Sequence, residues 1–288
     1  MVITQFIINT LITGSIYALI AIGFSLVYYV MKFFNFAHGG LITLSAYVFY
    51  ILVRFVGIDL IYSIVITLLL SAFLGVLFNA VVYRNLRLKK TSTAMLILIS
   101  FILLILFESF ISLVFGVDIK LLFPAISTEG LYIFGTRITY PQVYIILASI
   151  FTFCTTIIFV GYTKIGKYMR AVADNKELAE ISGINTERIF QYCFILSSLI
   201  AGISGIVVSV EKSLRPSIGS NLIIKGFAGS VAGGINSLLG SILGGYIIGF
   251  LENVGVWFLP SAYKDAITFV VLFLFLIFRP RGIFGDKA

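Results

Sequence analysis

The chain has 288 residues, is 60% hydrophobic and 11% charged, and carries a formal net charge of +8. An ordinary soluble domain is roughly half apolar and a quarter charged, so a soluble fold has too little interior to hide this excess. The balance excludes an ordinary soluble enzyme or binding domain and points to lipid as the solvent for much of the surface. The basic residues fall in gaps between apolar runs, which reads as membrane orientation and not as a nucleic-acid surface.

Apolar runs cover residues 6–29, 36–56, 60–83, 93–115, 143–162, 189–210, 223–251 and 254–278. A helix crosses the hydrocarbon with about 20 such residues. Only helices and closed barrels satisfy every backbone group in lipid, and these runs lack the alternation of barrel strands. The expected fold is therefore all-α, a polytopic transmembrane bundle with about eight apolar segments, and a single domain over 1–288. The first run has no basic stretch before it and outlasts a signal-peptide core, so it reads as a span.

Asn35-Phe36-Ala37-His38-Gly39-Gly40 opens the second run, and His38 is the only histidine. A metal site needs more nitrogen or sulfur donors than the chain supplies, so none is expected. A hinge or a helix start with Asn35 as N-cap suits the segment better. Cys154 and Cys193 both sit inside apolar runs without ligand spacing and read as packing residues.

The gap after the third run holds Arg84, Arg87, Lys89 and Lys90. The gap after the fifth holds Lys164, Lys167, Arg170, Lys176 and Arg188, and the tail holds Arg279, Arg281 and Lys287. The positive-inside rule assigns all three to the cytoplasm, with the C-terminus, and the stretch 116–141 to the outside. Glu108 lies inside the fourth run, where a charge is costly and faces the bundle interior. Glu252 closes the seventh run, near an interface.

Residues 173–188 carry helix punctuation. Asp174 followed by Glu177 has the spacing of an N-cap with a reciprocal acidic partner. Gly183 is a natural stop, and Asn185 can cap the next helix. The helix between is about two turns, too short to be stable alone in water. On pattern alone it is a solvated linker or an element that docks on something else.

The seventh run reads poorly as one continuous span. A single crossing over 223–251 would put the basic tail outside. The run also holds Gly226, Gly229, Gly233, Gly234, Gly240, Gly244, Gly245 and Gly249. Each glycine costs about 1 kcal/mol against alanine inside a helix. The expected element is broken or re-entrant, crossing an even number of times. Gly229, Gly233, Ser237, Ser241, Gly245 and Gly249 recur every four residues, which lets another backbone approach closely. Packing and a lining role on a transport path are both open. The path candidates are Asn35, His38, Gly233, Gly234, Asn236 and Ser237; Gly229, Ser241, Gly245 and Gly249 are packing candidates. No G-x-x-x-x-G-K-[ST] occurs, so any ATP that drives the protein is held by another subunit.

Four blocks in order resemble the branched-chain amino-acid permeases of bacterial ATP-binding-cassette importers. They are Gly14-Ser15-Ile16-Tyr17-Ala18-Leu19 continuing through Asn35-Phe36-Ala37-His38-Gly39 to Ala46-Tyr47, then residues 170–185, then 225–252 with Gly233-Gly234-Ile235-Asn236-Ser237-Leu238-Leu239-Gly240, then Arg279-Pro280-Arg281-Gly282-Ile283-Phe284-Gly285. The resemblance implies the shorter permease of a membrane-embedded pair, two cytoplasmic ATPases that hold ATP and Mg, an external solute-binding protein, and no cofactor on this chain. It also implies the bacterial inner membrane. Glu177, Ala179 and Gly183 resemble the family's E-A-A-x-x-x-G coupling loop, with Leu178 in place of the middle alanine. The coupling residues it implies are Asp174, Glu177, Leu178, Ala179, Ile181 and Gly183. Alternatives are the same machine carrying urea, amides or another amino acid, and an ion-coupled transporter using Glu108.

Overall fold

The computed structural model describes residues 2–122, 130–133 and 136–285. Twelve α-helices account for most of them. The first, α1 (Val2–Met31), is apolar on every side, which is the pattern of a helix buried all round. Of its most apolar stretch, 83% is buried, against 11% for the last helix of the chain. It is the central column. Next come α2 (Ala37–Ile51), continued by a π turn over Leu52–Val56, then α3 (Leu60–Phe78), a second π turn (Asn79–Tyr83) and α4 (Arg84–Leu88). Then follow α5 (Thr93–Phe115) and α6 (Tyr140–Tyr162). Three more are α7 (Lys164–Asp174), α8 (Lys176–Ile181) and α9 (Thr186–Glu211). The chain closes with α10 (Ile218–Gly233), α11 (Leu238–Gly255) and α12 (Lys264–Phe278).

Among the described residues, eight helical stretches are long and apolar enough to cross a membrane. This is a multi-pass membrane protein. The expected helical bundle also carries a short hairpin. Between α5 and α6, β1 (Gly130–Ile133) pairs antiparallel with β2 (Thr136–Thr139), so the fold is mostly, not wholly, helical.

The glycine-rich run is two helices. Gly233 ends α10, and Gly234 takes φ +111°, a conformation open to glycine but not to side chains with a Cβ. The chain then reverses, and α11 returns antiparallel along α10, with Gly229 against Gly245 and Gly233 against Gly240. A Cβ on Gly245 would also strike the Ala18 backbone of α1. The four-residue small stripe therefore seats three helices at backbone contact. With 16 residues, α10 is about 24 Å long and too short to span the hydrocarbon by itself. Its neighbours α1, α2, α11 and α12 cover it.

The basic gaps gather at one end of the bundle. Arg87 of α4 pairs with Glu187 at the start of α9. Lys32, just beyond α1, donates to Asn236 in the α10–α11 turn. The Ile283 and Phe284 N–H groups of the tail donate to the Ala232 and Gly233 carbonyls. At the opposite end, Lys120 and Leu214 exchange backbone hydrogen bonds, which ties the end of α5 to the α9–α10 link.

Candidate functional site

At the basic end, α8 packs against α7 and α9, with Ala179 buried. Its capping differs from the expectation for Asp174. The amphipathic α7 continues through Asp174, and the break falls one residue later, at Asn175 with φ −149°. Asn175 Oδ1 then accepts the Leu178 N–H, and Glu177 lies in the first turn as an acid facing the helix dipole. The far end closes at Gly183, with φ +83°. Its N–H donates to the Glu180 carbonyl, and the Ile184 N–H donates to the Ala179 carbonyl, a paired closure that stops a helix sharply. Asn185 caps α9 through Arg188.

These two caps hold six residues in one rigid turn and a half, with Ala179 buried and Leu178 and Ile181 pointing away, 61% and 82% exposed. Leu178 and Ile181 thus leave two large apolar side chains exposed on a short helix capped at both ends.

A second feature lies where α2 begins. Asn35 does not cap the helix: Phe36 occupies that position with no side-chain cap, and Asn35 Oδ1 instead accepts the Tyr83 hydroxyl at 2.8 Å. The chain leaves α1 at Met31 and doubles back, so His38 packs against Gly23 and Phe36 against Phe24. Eight residues of α1 separate Gly23 from Met31, so α2 starts about 12 Å inside the bundle. His38 is fully buried. Its Nδ1 lies 3.2 Å from Ser197 Oγ, which also donates to the Gly23 carbonyl, and its Nε2 has no partner among the described residues.

The six path candidates form two groups. Asn35 and His38 sit at the start of α2. Gly233, Gly234, Asn236 and Ser237 sit in the α10–α11 turn, where Ser237 caps α11 through Gly240. Both groups touch α1 but on different faces: His38 meets Gly23, whereas the Ile235 carbonyl accepts the Ser25 hydroxyl. Asn236 and Ser237 line a cavity of about 210 Å³ with Tyr29, Ile157 and Gly161. Beside it, burial pushes the Lys32 ammonium below its ordinary pKa, and Asp174 opposes the shift.

Against this geometry, the family model for the branched-chain amino acid transport system permease component matches residues 6–276. The chain belongs to this family. It is 30% identical to the high-affinity branched-chain amino acid transport permease LivH of Salmonella typhimurium, over 96% of this chain and 94% of that one. It is 29% identical to the corresponding BraD of Pseudomonas aeruginosa, over 98% and 95%. Its fold is similar to that of PsaBC from Streptococcus pneumoniae in complex with Fab, with a TM-score of 0.53, 13% identity and coverage of 97% and 94%. It is thus a permease component of an ATP-binding-cassette transporter, a non-catalytic subunit, and that class implies ATPase and binding-protein partners.

The permease also holds polar contacts between residues far apart in the chain. Lys225 of α10 pairs with Glu252 of α11 at 2.9 Å and with Asp265 of α12 at 2.8 Å. The Tyr17 hydroxyl of α1 donates to Glu252 Oε2 at 2.7 Å, and Thr268 donates to Oε1. Glu252, expected near an interface, is fully buried. A lysine inside an apolar, glycine-rich run was the signal, because such a charge needs a partner. The third run carries another. Ser63, Thr67, Ser71, Gly75, Asn79 and Tyr83 recur every four residues and form the buried face of this stretch. Glu108 is half-buried, and its Oε1 has no hydrogen-bond partner among the described residues.

Proposed function

We propose that this permease moves branched-chain or related apolar amino acids into the cytoplasm of a bacterium, as half of a permease pair in the inner membrane. The whole chain acts as one transmembrane domain. The basic end faces the cytoplasm. There α8 enters a cleft of a cytoplasmic ATPase, with Leu178 and Ile181 as the inserted apolar contacts and the caps at Asn175 and Gly183 holding their direction. Two ATPases bind ATP and Mg, and this chain binds neither. An external binding protein delivers cargo at the opposite end, and ATP-driven movement of α8 switches which side the cavity faces.

The observation that carries this reading is the exposure of Leu178 and Ile181 on a helix stiffened at both ends. Apolar cargo suits a bundle whose interior offers few charges, and full-length relatives named for branched-chain amino acids support the same class.

The test is purification of the tagged permease from native membranes in mild detergent, followed by reconstitution with its partners. ATPase subunits should copurify, and leucine uptake should require ATP hydrolysis. Leucine uptake driven by an ion gradient, with no ATPase bound, would overturn the reading and turn attention to Glu108.

A further inference from the structure

We propose that Arg87 is a positioning residue for transport, joining the docking helix α8 to the break at Asn35 where α2 begins. The inference rests on the reading of α8 as the ATPase-docking element, and it assigns the route by which movement of α8 reaches the membrane interior.

The route can be followed contact by contact. Thr186 Oγ1 donates to Glu180 Oε1 at 2.8 Å, which ties α8 to the first residue of α9. Lys176 of α8 also stands 5.6 Å from the ring centroid of Phe190 on α9, and Arg87 lies 4.8 Å from the same centroid. The next residue after Thr186 is Glu187. It accepts a two-pronged bond from Arg87, Nε to Oε1 at 3.0 Å and Nη2 to Oε2 at 2.7 Å. Such a fork fixes direction as well as distance. The two side chains are only 10% and 29% exposed, so the pair is not a solvent-screened surface contact.

From Arg87 the links run inward. Nη2 also donates to Asn79 Oδ1 at 2.8 Å, and Asn79 Nδ2 donates to Gln191 Oε1 at 2.7 Å. Asn79 and Tyr83 bound the π turn between α3 and α4, a local irregularity of the kind found at functional sites. Tyr83 is wedged between Phe33 and Phe194, with centroids at 5.3 and 5.0 Å, and its hydroxyl ends on Asn35. Asn35 adjoins Phe36, whose N–H donates to Ser100 of α5.

Two features mark this as a joint and not a static brace. Arg87 Nη1 and Gln191 Nε2 are buried without a partner among the described residues. A network left partly unpaired is a costly way to gain stability alone. A second arrangement that pairs them would give the chain of contacts the two states that coupling requires.

The experiment uses the complete importer in liposomes, with leucine as cargo, and reads uptake and ATP hydrolysis together. Arg87→Gln and Glu187→Gln should keep their ATPases bound and hydrolysing, while leucine moved per ATP falls about tenfold. Arg87→Glu with Glu187→Arg restores opposite charges and should recover part of that ratio. Charge variants that assemble with the ATPases and still move as much leucine per ATP as the native importer would overturn the proposal. If the charge variants do not assemble, Tyr83→Phe decides, because it removes one hydroxyl only. A ratio lowered about threefold supports the joint, and an unchanged ratio refutes it. Failure of the docking reading itself shows differently, as native importer without bound ATPase.

Discussion

Lys225 Nζ lies 2.9 Å from Glu252 Oε1 and 2.8 Å from Asp265 Oδ1, so one ammonium draws α10, α11 and α12 together. Glu252 is fully buried and also receives the Tyr17 hydroxyl from α1. Removing one partner of such a pair leaves an uncompensated charge, at a cost of about 3–5 kcal/mol. Lys225→Met should therefore lower the thermal midpoint of the detergent-solubilised permease markedly. Adding Glu252→Gln to the same chain should recover most of the loss, since the stranded charge is then gone. A double variant no better than the single one would show that the pair is not what holds the three helices.

Leu178 and Ile181 touch little of their own chain, so Leu178→Asp with Ile181→Asp should leave the permease folded. Exposed substitutions away from packing usually change stability by no more than about 0.5 kcal/mol. ATPase binding should nonetheless fall below detection in a pull-down. Retained ATPase with both aspartates present would remove α8 from the docking surface.

Gly183 occupies φ +83° with open space around it. A Cβ there meets no neighbour, so the penalty of Gly183→Ala is backbone strain alone, about 1–2 kcal/mol. Asparagine tolerates this region better than alanine. The order of α8 protection in hydrogen exchange should run native, then Gly183→Asn, then Gly183→Ala.

Lys212, just past α9, is held down from its ordinary 10.5 to about 8 by burial first, then by Lys225, with Glu252 opposing. Because the folded pKa is lower than the unfolded one, the unfolded chain binds more protons between these values. The strain of carrying a charged Lys212 is fully present below pH 8 and is relieved as pH rises towards 10.5. Lys212→Met should thus be more stable than the native permease at pH 7, and the gap should close by about pH 10. A constant gap across that range would mean that Lys212 does not titrate there.

Much of the fold was legible in the order of the residues because the terms that decide it are local. Transfer into lipid is set run by run, which is why every apolar stretch but the glycine-rich seventh matches one spanning helix among the described residues. Backbone cost is also local. Gly183 stops α8, Asn185 caps α9, and the glycine-rich run breaks at Gly234. The cap of α8 slipped by one residue, to Asn175, because α7 and α8 compete for Asp174 and only their packing settles where the first ends.

What the order of residues left open is which distant groups meet. Arg87 and Glu187 lie 100 residues apart, and Tyr17 and Glu252 lie 235 apart. Asn35 has the local chemistry of a helix cap, yet it serves Tyr83 because α2 begins inside the bundle and the π turn that ends at Tyr83 passes beside it. The central place of α1 is likewise a property of the assembled helices. In lipid an apolar surface is satisfied either by tails or by another helix. Spans alike in composition therefore end up at the core or at the rim according to their small residues and buried polar partners, and those partners are chosen only when the helices come together.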